Sequence, residues 1–98
     1  MADSIQSRLK TQAQVFKALG HPTRLLLIEE LAHESKCVCK LTEAAGLDMS
    51  TVSKHLSVLK QAGIVEDEKR GLQVFYSLKT PCVLNFFKCM ESVQKCCK

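Results

Sequence analysis

Apolar positions along the chain switch period twice, and the switches divide it into elements. Ile5, Leu9, Phe16 and Leu19 fall at helical spacing, which predicts a helix over 5–19 with Asp3 or Ser4 at its start and Gly20 as its stop. In "HPTRLLLIEELAH", Pro22 suits a first helical turn, where its missing N–H is no loss, and Leu25 to Ala32 continue a buried helix. The polar "ESK" breaks the pattern. "CVCKLTEAAG" reads as a short helix closed by Gly46 in a left-handed conformation. "LDMSTVSKHLSVLKQAG" follows, with Asp48 as N-cap, Val52, Leu56 and Leu59 on one stripe, and Gly63 as terminator.

The period then shortens. Ile64–Val65 and Val74–Phe75–Tyr76 predict two strands around a turn at Lys69, Arg70 and Gly71. Thr80 can cap, and Pro81 can begin, a last helix that runs to the C-terminus. The expected architecture is mainly α with a small β-hairpin: five helices, with a two-stranded wing between the fourth and fifth. Helices joined by Gly46, Leu47 and Asp48 fit a helix-turn-helix over 38–62, followed by a wing over 64–78.

Composition narrows the function class. The 98 residues make one domain over 1–98, with 46% hydrophobic and 24% charged residues, ordinary for a soluble globular chain. The net charge of +4 leans toward a polyanionic partner. No apolar run approaches the ~20 residues that span a bilayer, and "MADSIQSRLK" lacks the apolar stretch of an export signal. A cytosolic protein with no membrane partner is expected. Six cysteines then point to metal or redox chemistry more than to a disulfide scaffold.

Charge is distributed unevenly. From Met49 through Val65 there is no Asp or Glu. Ser50, Thr51, Ser53, Lys54 and His55 lie opposite the apolar stripe, and short hydroxyls with a lysine near a helix N-terminus suit base edges and phosphates in a major groove. Lys69 and Arg70 at the hairpin tip suit the adjacent backbone or minor groove. A solvated helix face would look similar taken alone; the short turn, the preceding helix and the basic hairpin together favour double-stranded DNA. No C-x-x-C motif occurs, and no base is tied to a nucleophile, so neither an enzyme nor a small-molecule substrate is expected.

The segments "ALGHPTRLLLIEEL", "CVCKL", "STVSKHLSVLKQAGIV" and "GLQVFYSL" resemble the ArsR/SmtB family of winged-helix metalloregulators, over about Phe16 to Leu78. The resemblance implies a homodimeric repressor that releases its operator when an inducer binds. It also implies a recognition helix at Met49 to Ala62 and dimerisation through the terminal helices, about 5–19 and 81–96. "CVCKL" resembles the thiolate-donating segment of arsenite- and cadmium/lead-responsive members, which names Cys37 and Cys39 as ligands. The inducer so implied is As(III) or Sb(III), alternatively Cd(II) or Pb(II), with no permanently bound cofactor.

Departures from the family pattern matter. Thr42 stands where some arsenite sensors have a third cysteine, and no cysteine precedes Cys37 as in cadmium-type members. The last helix has no His and only Glu91 as acid, so the zinc/nickel site is missing. Cys82, Cys89 and Cys96 follow a packed-helix seam. Cys96 and Cys97 resemble the C-terminal thiol pair of another arsenite-sensor subclass and could complete the shell. In a straight helix, residues two apart point to nearly opposite sides, so chelation by Cys37 and Cys39 is expected to unwind the start of their helix. A redox or persulfide input through the same fold is the competing expectation. The expected operator is an inverted repeat with half-sites ~34 Å apart or a multiple of it.

Overall fold

A computed structural model describes residues 2–96, with side chains described over 4–93. The order is α1 (Ala2–Leu19), α2 (Pro22–Leu31), β1 (Lys36–Cys37), α3 (Val38–Ala45), α4 (Met49–Gln61), β2 (Val65–Arg70) and β3 (Gln73–Leu78). A single 3₁₀ turn (Pro81–Val83) then leads into α5 (Leu84–Cys96).

The caps explain most boundaries. His21 is the N-cap of α2, its Nδ1 accepting from the Thr23 N–H at 3.1 Å, with Pro22 next in the first turn. Gly46 ends α3 at φ 68°, a left-handed conformation that a side chain would strain, and its N–H bonds the Thr42 carbonyl at 3.0 Å. The chain re-enters a helix two residues later, so α3 and α4 form the helix-turn-helix.

One core holds these elements together. Leu27 and Ile28 from α2, Leu41 from α3, and Val52, Leu56 and Leu59 from α4 are completely buried, joined by Ile64 and Val65 where β2 begins. Each such side chain contributes roughly 1.5–3 kcal/mol by leaving water. The wing is anchored at its base by this burial and by the Lys79 N–H bonding the Ile64 carbonyl at 2.9 Å.

Several expectations shift. α1 begins at Ala2, which places Asp3 and Ser4 within its first turn. Thr80 makes no capping side-chain bond, and Pro81 opens the 3₁₀ turn ahead of the helix proper. The hairpin strands are longer than their apolar residues suggested: Lys69 and Arg70 are the last residues of β2, paired with Val74 and Gln73, and the turn is Gly71–Leu72. A third strand was not anticipated. β1 pairs antiparallel with β3 (Lys36 with Tyr76, Cys37 with Phe75), giving the sheet order β1-β3-β2.

α1 and α5 present apolar side chains to the outside: Ile5, Leu9 and Phe16 on one, Phe86, Met90 and Val93 on the other. Phe16 and Phe86 touch, with ring centroids 5.7 Å apart, so the two helices offer one continuous apolar surface. Among the described residues, no helix is long and apolar enough to cross a membrane.

Candidate nucleic-acid interface and thiol site

The start of α4 is organised by Asp48. Its carboxylate accepts from the Thr51 N–H at 3.3 Å, the Thr51 hydroxyl at 2.7 Å and the Ser50 hydroxyl. The Ser50 and then the Thr51 hydroxyl hold the Asp48 carboxyl down to about 2. Ser50 and Thr51 therefore donate to the cap in the free protein, leaving their oxygens as acceptors. Lys54 is exposed, and Ser53 is partly covered, facing the wing side.

His55 departs from the expected surface. Its Nδ1 accepts from Arg24 Nε at 3.1 Å, and its ring lies 4.4 Å from that of His21, tying α4 back to α2. Burial, then the nearby His21 and Arg24, hold its pKa below the ordinary 6.5, so the ring is neutral near pH 7. His55 braces α4 against α2, while its neighbour Lys54 is exposed. Arg24 is the partner that the sequence reading missed; it lies thirty-one positions earlier, and no local pattern marks it.

At the wing, Lys69 is free to meet a phosphate backbone, whereas Arg70 is engaged: its guanidinium sits 4.6 Å from the Phe75 ring centroid and 3.6 Å from Glu68. Lys60, basic on α4, is paired with Asp67 at 3.0 Å, which raises its pKa and braces α4 against β2.

The thiols meet without any unwinding. Cys37 is the extended N-cap of α3 (φ −75°, ψ 159°) and Cys39 lies in its first turn, so the chain bends between them and brings Sγ to Sγ at 2.6 Å. The expectation that these side chains diverge rested on placing both inside a helix, and it is corrected by the strand-to-helix junction. Both cysteines are free; Cys37 is buried and Cys39 exposed. The Cys39 thiol, and after it the Lys40 backbone N–H, lower the pKa of Cys37. The hydrogen bond with the Cys37 sulfur, then burial and the charge on Cys37, push the Cys39 thiol up. Charge is therefore favoured on Cys37 over Cys39, and two adjacent thiols at a helix N-terminus suit soft electrophiles.

Its attachments run both ways. Cys37 is paired with Phe75 of the wing, Lys36 is bridged to Glu30 of α2 at 2.6 Å, and α3 packs directly on α4. Cys82 and Cys89 are exposed and stand apart from the pair. The side chain of Cys96 and all of Cys97 lie outside the described residues. Among the described residues, no group of three or more His, Cys, Asp or Glu converges on a metal-sized site.

Two helices joined by a tight turn, the second followed by a hairpin, define a winged helix-turn-helix, a fold of DNA-binding transcriptional regulators and not of enzymes. The profile of bacterial regulatory proteins of the arsR family matches residues 21–67. An HTH-type transcriptional regulator of Methanocaldococcus jannaschii is 39% identical over 82 residues, spanning 83% of this chain and 92% of that one. The arsenic resistance transcriptional regulator of Pseudomonas putida is 42% identical over 65 residues, 65% of this chain, and is covered for 51% of its own length. Among solved structures, the homodimeric winged helix-turn-helix domain of a possible ArsR-family regulator from Mycobacterium bovis superposes with a TM-score of 0.85 at 28% identity, covering 97% of this chain and 88% of that one. The chain belongs to the ArsR/SmtB family of winged-helix transcriptional repressors.

Proposed function

We propose that this protein represses transcription as a homodimer on an inverted-repeat operator, and leaves it when trivalent arsenic or antimony binds the Cys37 and Cys39 thiolates. The observation that carries the reading is the meeting of two free thiols at the β1–α3 junction, where one is paired to the wing and the other rides on the helix beneath α4. Relatives named for arsenic and for cadmium resistance support a thiophilic inducer. Such a repressor works beside the chromosome, in the cytoplasm.

The mechanism follows from the attachments of the two thiols. Arsenic bonded to both sulfurs ties the strand end at Cys37 to the first helical turn at Cys39. Cys37 is buried and Cys39 exposed, so the adjustment falls on the first turn of α3, and through Leu41 on α4. Ser53 and Lys54 then lose their register with the wing lysine Lys69. The apolar surface of α1 and α5 supplies the dimer interface, which sets the half-site spacing at about one DNA turn.

Fluorescence anisotropy of reduced protein on its own promoter, titrated with arsenite, antimonite, cadmium, lead and an oxidant, tests the reading. Wild type should release DNA with the metalloids, and the Cys37→Ser/Cys39→Ser protein should bind DNA but fail to release it. Normal release by that variant refutes the site. A second reading has support from the lowered pKa of Cys37 beside a resolving thiol: oxidation or persulfidation as the signal. Release by the oxidant, reversed by a reductant with no metalloid bound, selects it.

A further inference from the structure

Two acid-free stretches of the chain, 4–28 and 49–65, meet in an open hollow of about 320 Å³ between α1, α2 and α4. Gln14 and Lys17 of α1 and Arg24 of α2 form one wall, and Val58, Gln61 and Ala62 at the end of α4 form the other. We propose that this hollow is a second phosphate-binding flank of the DNA interface, in which Lys17 and Arg24 hold the operator backbone on the side of α4 opposite the wing. The proposal rests on the reading of the protein as an operator-binding repressor and names a part of the DNA backbone that α4 and the wing do not reach.

The faces of α4 place the hollow. Residues two apart on a helix point to nearly opposite sides. Lys60 reaches the wing through Asp67 at 3.0 Å, whereas Val58 and Ala62, two positions to either side, line the hollow. Between these faces runs an exposed line at helical spacing, Ser50, Lys54, Ser57 and Gln61. A major groove is ~12 Å wide, about the diameter of a helix with its side chains. A helix whose exposed line enters the groove therefore meets a phosphate backbone on each side. The wing, with Lys69, faces one of them. The hollow, which Gln61 joins to the exposed line, faces the other.

Its charge suits a polyanion. All ten acids of the chain lie outside the two stretches that build the hollow. Lys36, Lys60 and Arg70 are each paired with a carboxylate, whereas Lys17 and Arg24 have no such partner among the described residues. Arg24 is also fixed in place. Its Nε donates to His55 Nδ1 at 3.1 Å and its Nη1 lies 3.4 Å from the Ala18 carbonyl, which leaves Nη2 without a partner among the described residues. A guanidinium held this way is pre-organised for a phosphate oxygen, and the exposed Lys17 adds a second cation. Gln14 and Gln61 supply amide donors that phosphates also accept.

Contacts of this kind carry no sequence information. They fix the orientation of α4 in the groove, clamped between Lys69 on one side and Lys17 with Arg24 on the other, and they strengthen binding to every sequence alike.

The test is fluorescence anisotropy of the reduced full chain on its own promoter duplex, over a range of salt concentrations. Failure of wild type to bind at any salt removes the repressor reading and the flank together. Lys17→Gln and Arg24→Gln should each weaken binding and reduce the slope of log K against log salt by about one per bound protomer. Lys79→Gln, at the exposed base of the wing, should leave the slope unchanged; an equal loss there makes the effect one of net charge and overturns the flank. Arg24→Lys keeps the charge and drops the His55 bond, so it should keep the wild-type slope. A slope equal to that of Arg24→Gln assigns the loss to the clamp on α4 and removes Arg24 from the flank. The Lys17 side chain makes no hydrogen bond or ion pair among the described residues, so its variant keeps the test independent of any effect of Arg24 on folding. Ethylation interference should mark phosphates on both sides of each half-site groove, and Lys17→Gln/Arg24→Gln should erase one side. Wild-type slopes for both single variants, with both sets of marks retained, overturn the flank. Those slopes together with NMR shifts at Gln14 and Gln61 on adding inorganic phosphate overturn it in favour of a small-anion site.

Discussion

Replacing Arg24 with alanine asks whether α4 is held by a polar clamp as well as by its apolar stripe. Arg24 Nε donates to His55 Nδ1 at 3.1 Å, while Nη1 reaches the Ala18 and Lys17 carbonyls at 3.4 and 3.5 Å. Only the first is short enough to count in full. Both partners are partly exposed, so the net value is that of one ordinary hydrogen bond, about 1 kcal/mol. For a domain of this size that corresponds to a fall in Tm of roughly 4–8 °C. His55→Ala should cost a similar amount, and the double variant should cost less than the sum by ~0.5–1 kcal/mol.

The bond also predicts its own pH dependence. Nδ1 accepts only when unprotonated, and the folded pKa of His55 lies below the ordinary 6.5. The unfolded chain therefore binds this proton more tightly. Stability falls as pH drops below 6.5, and the loss is complete once pH is below the folded value. The coupling should be present at about pH 8 and vanish in acid, with the ionisation of other groups cancelling in the double-mutant cycle. Urea unfolding followed by circular dichroism, at one fixed protein concentration because dimerisation shifts the midpoint, measures it. Additivity at pH 8 to within about 0.3 kcal/mol would refute the clamp.

Leu56→Ala should destabilise by about 2–5 kcal/mol, since Leu56 is completely buried between α4 and the rest of the core, and Leu56→Met by less than about 1.5; chemical denaturation distinguishes them. Gly46→Ala meets no neighbouring atom, so its cost is the left-handed backbone alone, about 1 kcal/mol in a thermal melt. Lys54→Ala should weaken operator binding and reduce the slope of log K against log salt by about one, and an unchanged slope would remove Lys54 from the phosphate contacts. The Asp48 cap should persist from neutral pH until the pH falls below 3.8 and be lost toward about 2, visible as an NMR titration of its carboxyl that follows the Ser50 and Thr51 amides.

The helices were legible because each buries a stripe long enough to show a period. Val52, Leu56 and Leu59 announce α4, and Asp48 and Gly63 mark its ends. The wing was legible only at its base. Over Glu66 to Arg70 every side chain of β2 is exposed, so no alternation marks the strand, and the turn was placed two residues early. β1 has two residues and no pattern of its own; it exists because β3 has an open edge beside it. Missing it moved Cys37 from a strand end into a helix and made the thiols diverge on paper. The contacts of His55 were hidden for another reason. A helical wheel shows which side a residue faces but not that Arg24 and His21 wait there.

The two-residue pairing of β1 with β3 has a kinetic consequence. It is the shortest ladder in the fold and lies at an edge of the sheet, so it opens more readily than the β2–β3 hairpin. Amide hydrogen exchange at Lys36 and Cys37 should accordingly be fast, approaching that of the surrounding loop. Under the proposed thiol switch, a junction that opens in this way needs only a small bias from its ligand, because an equilibrium moves by differential affinity and not by total binding strength. On that proposal the frequency with which this strand lets go sets the response, and lengthening it by design should make a tighter but less obedient switch.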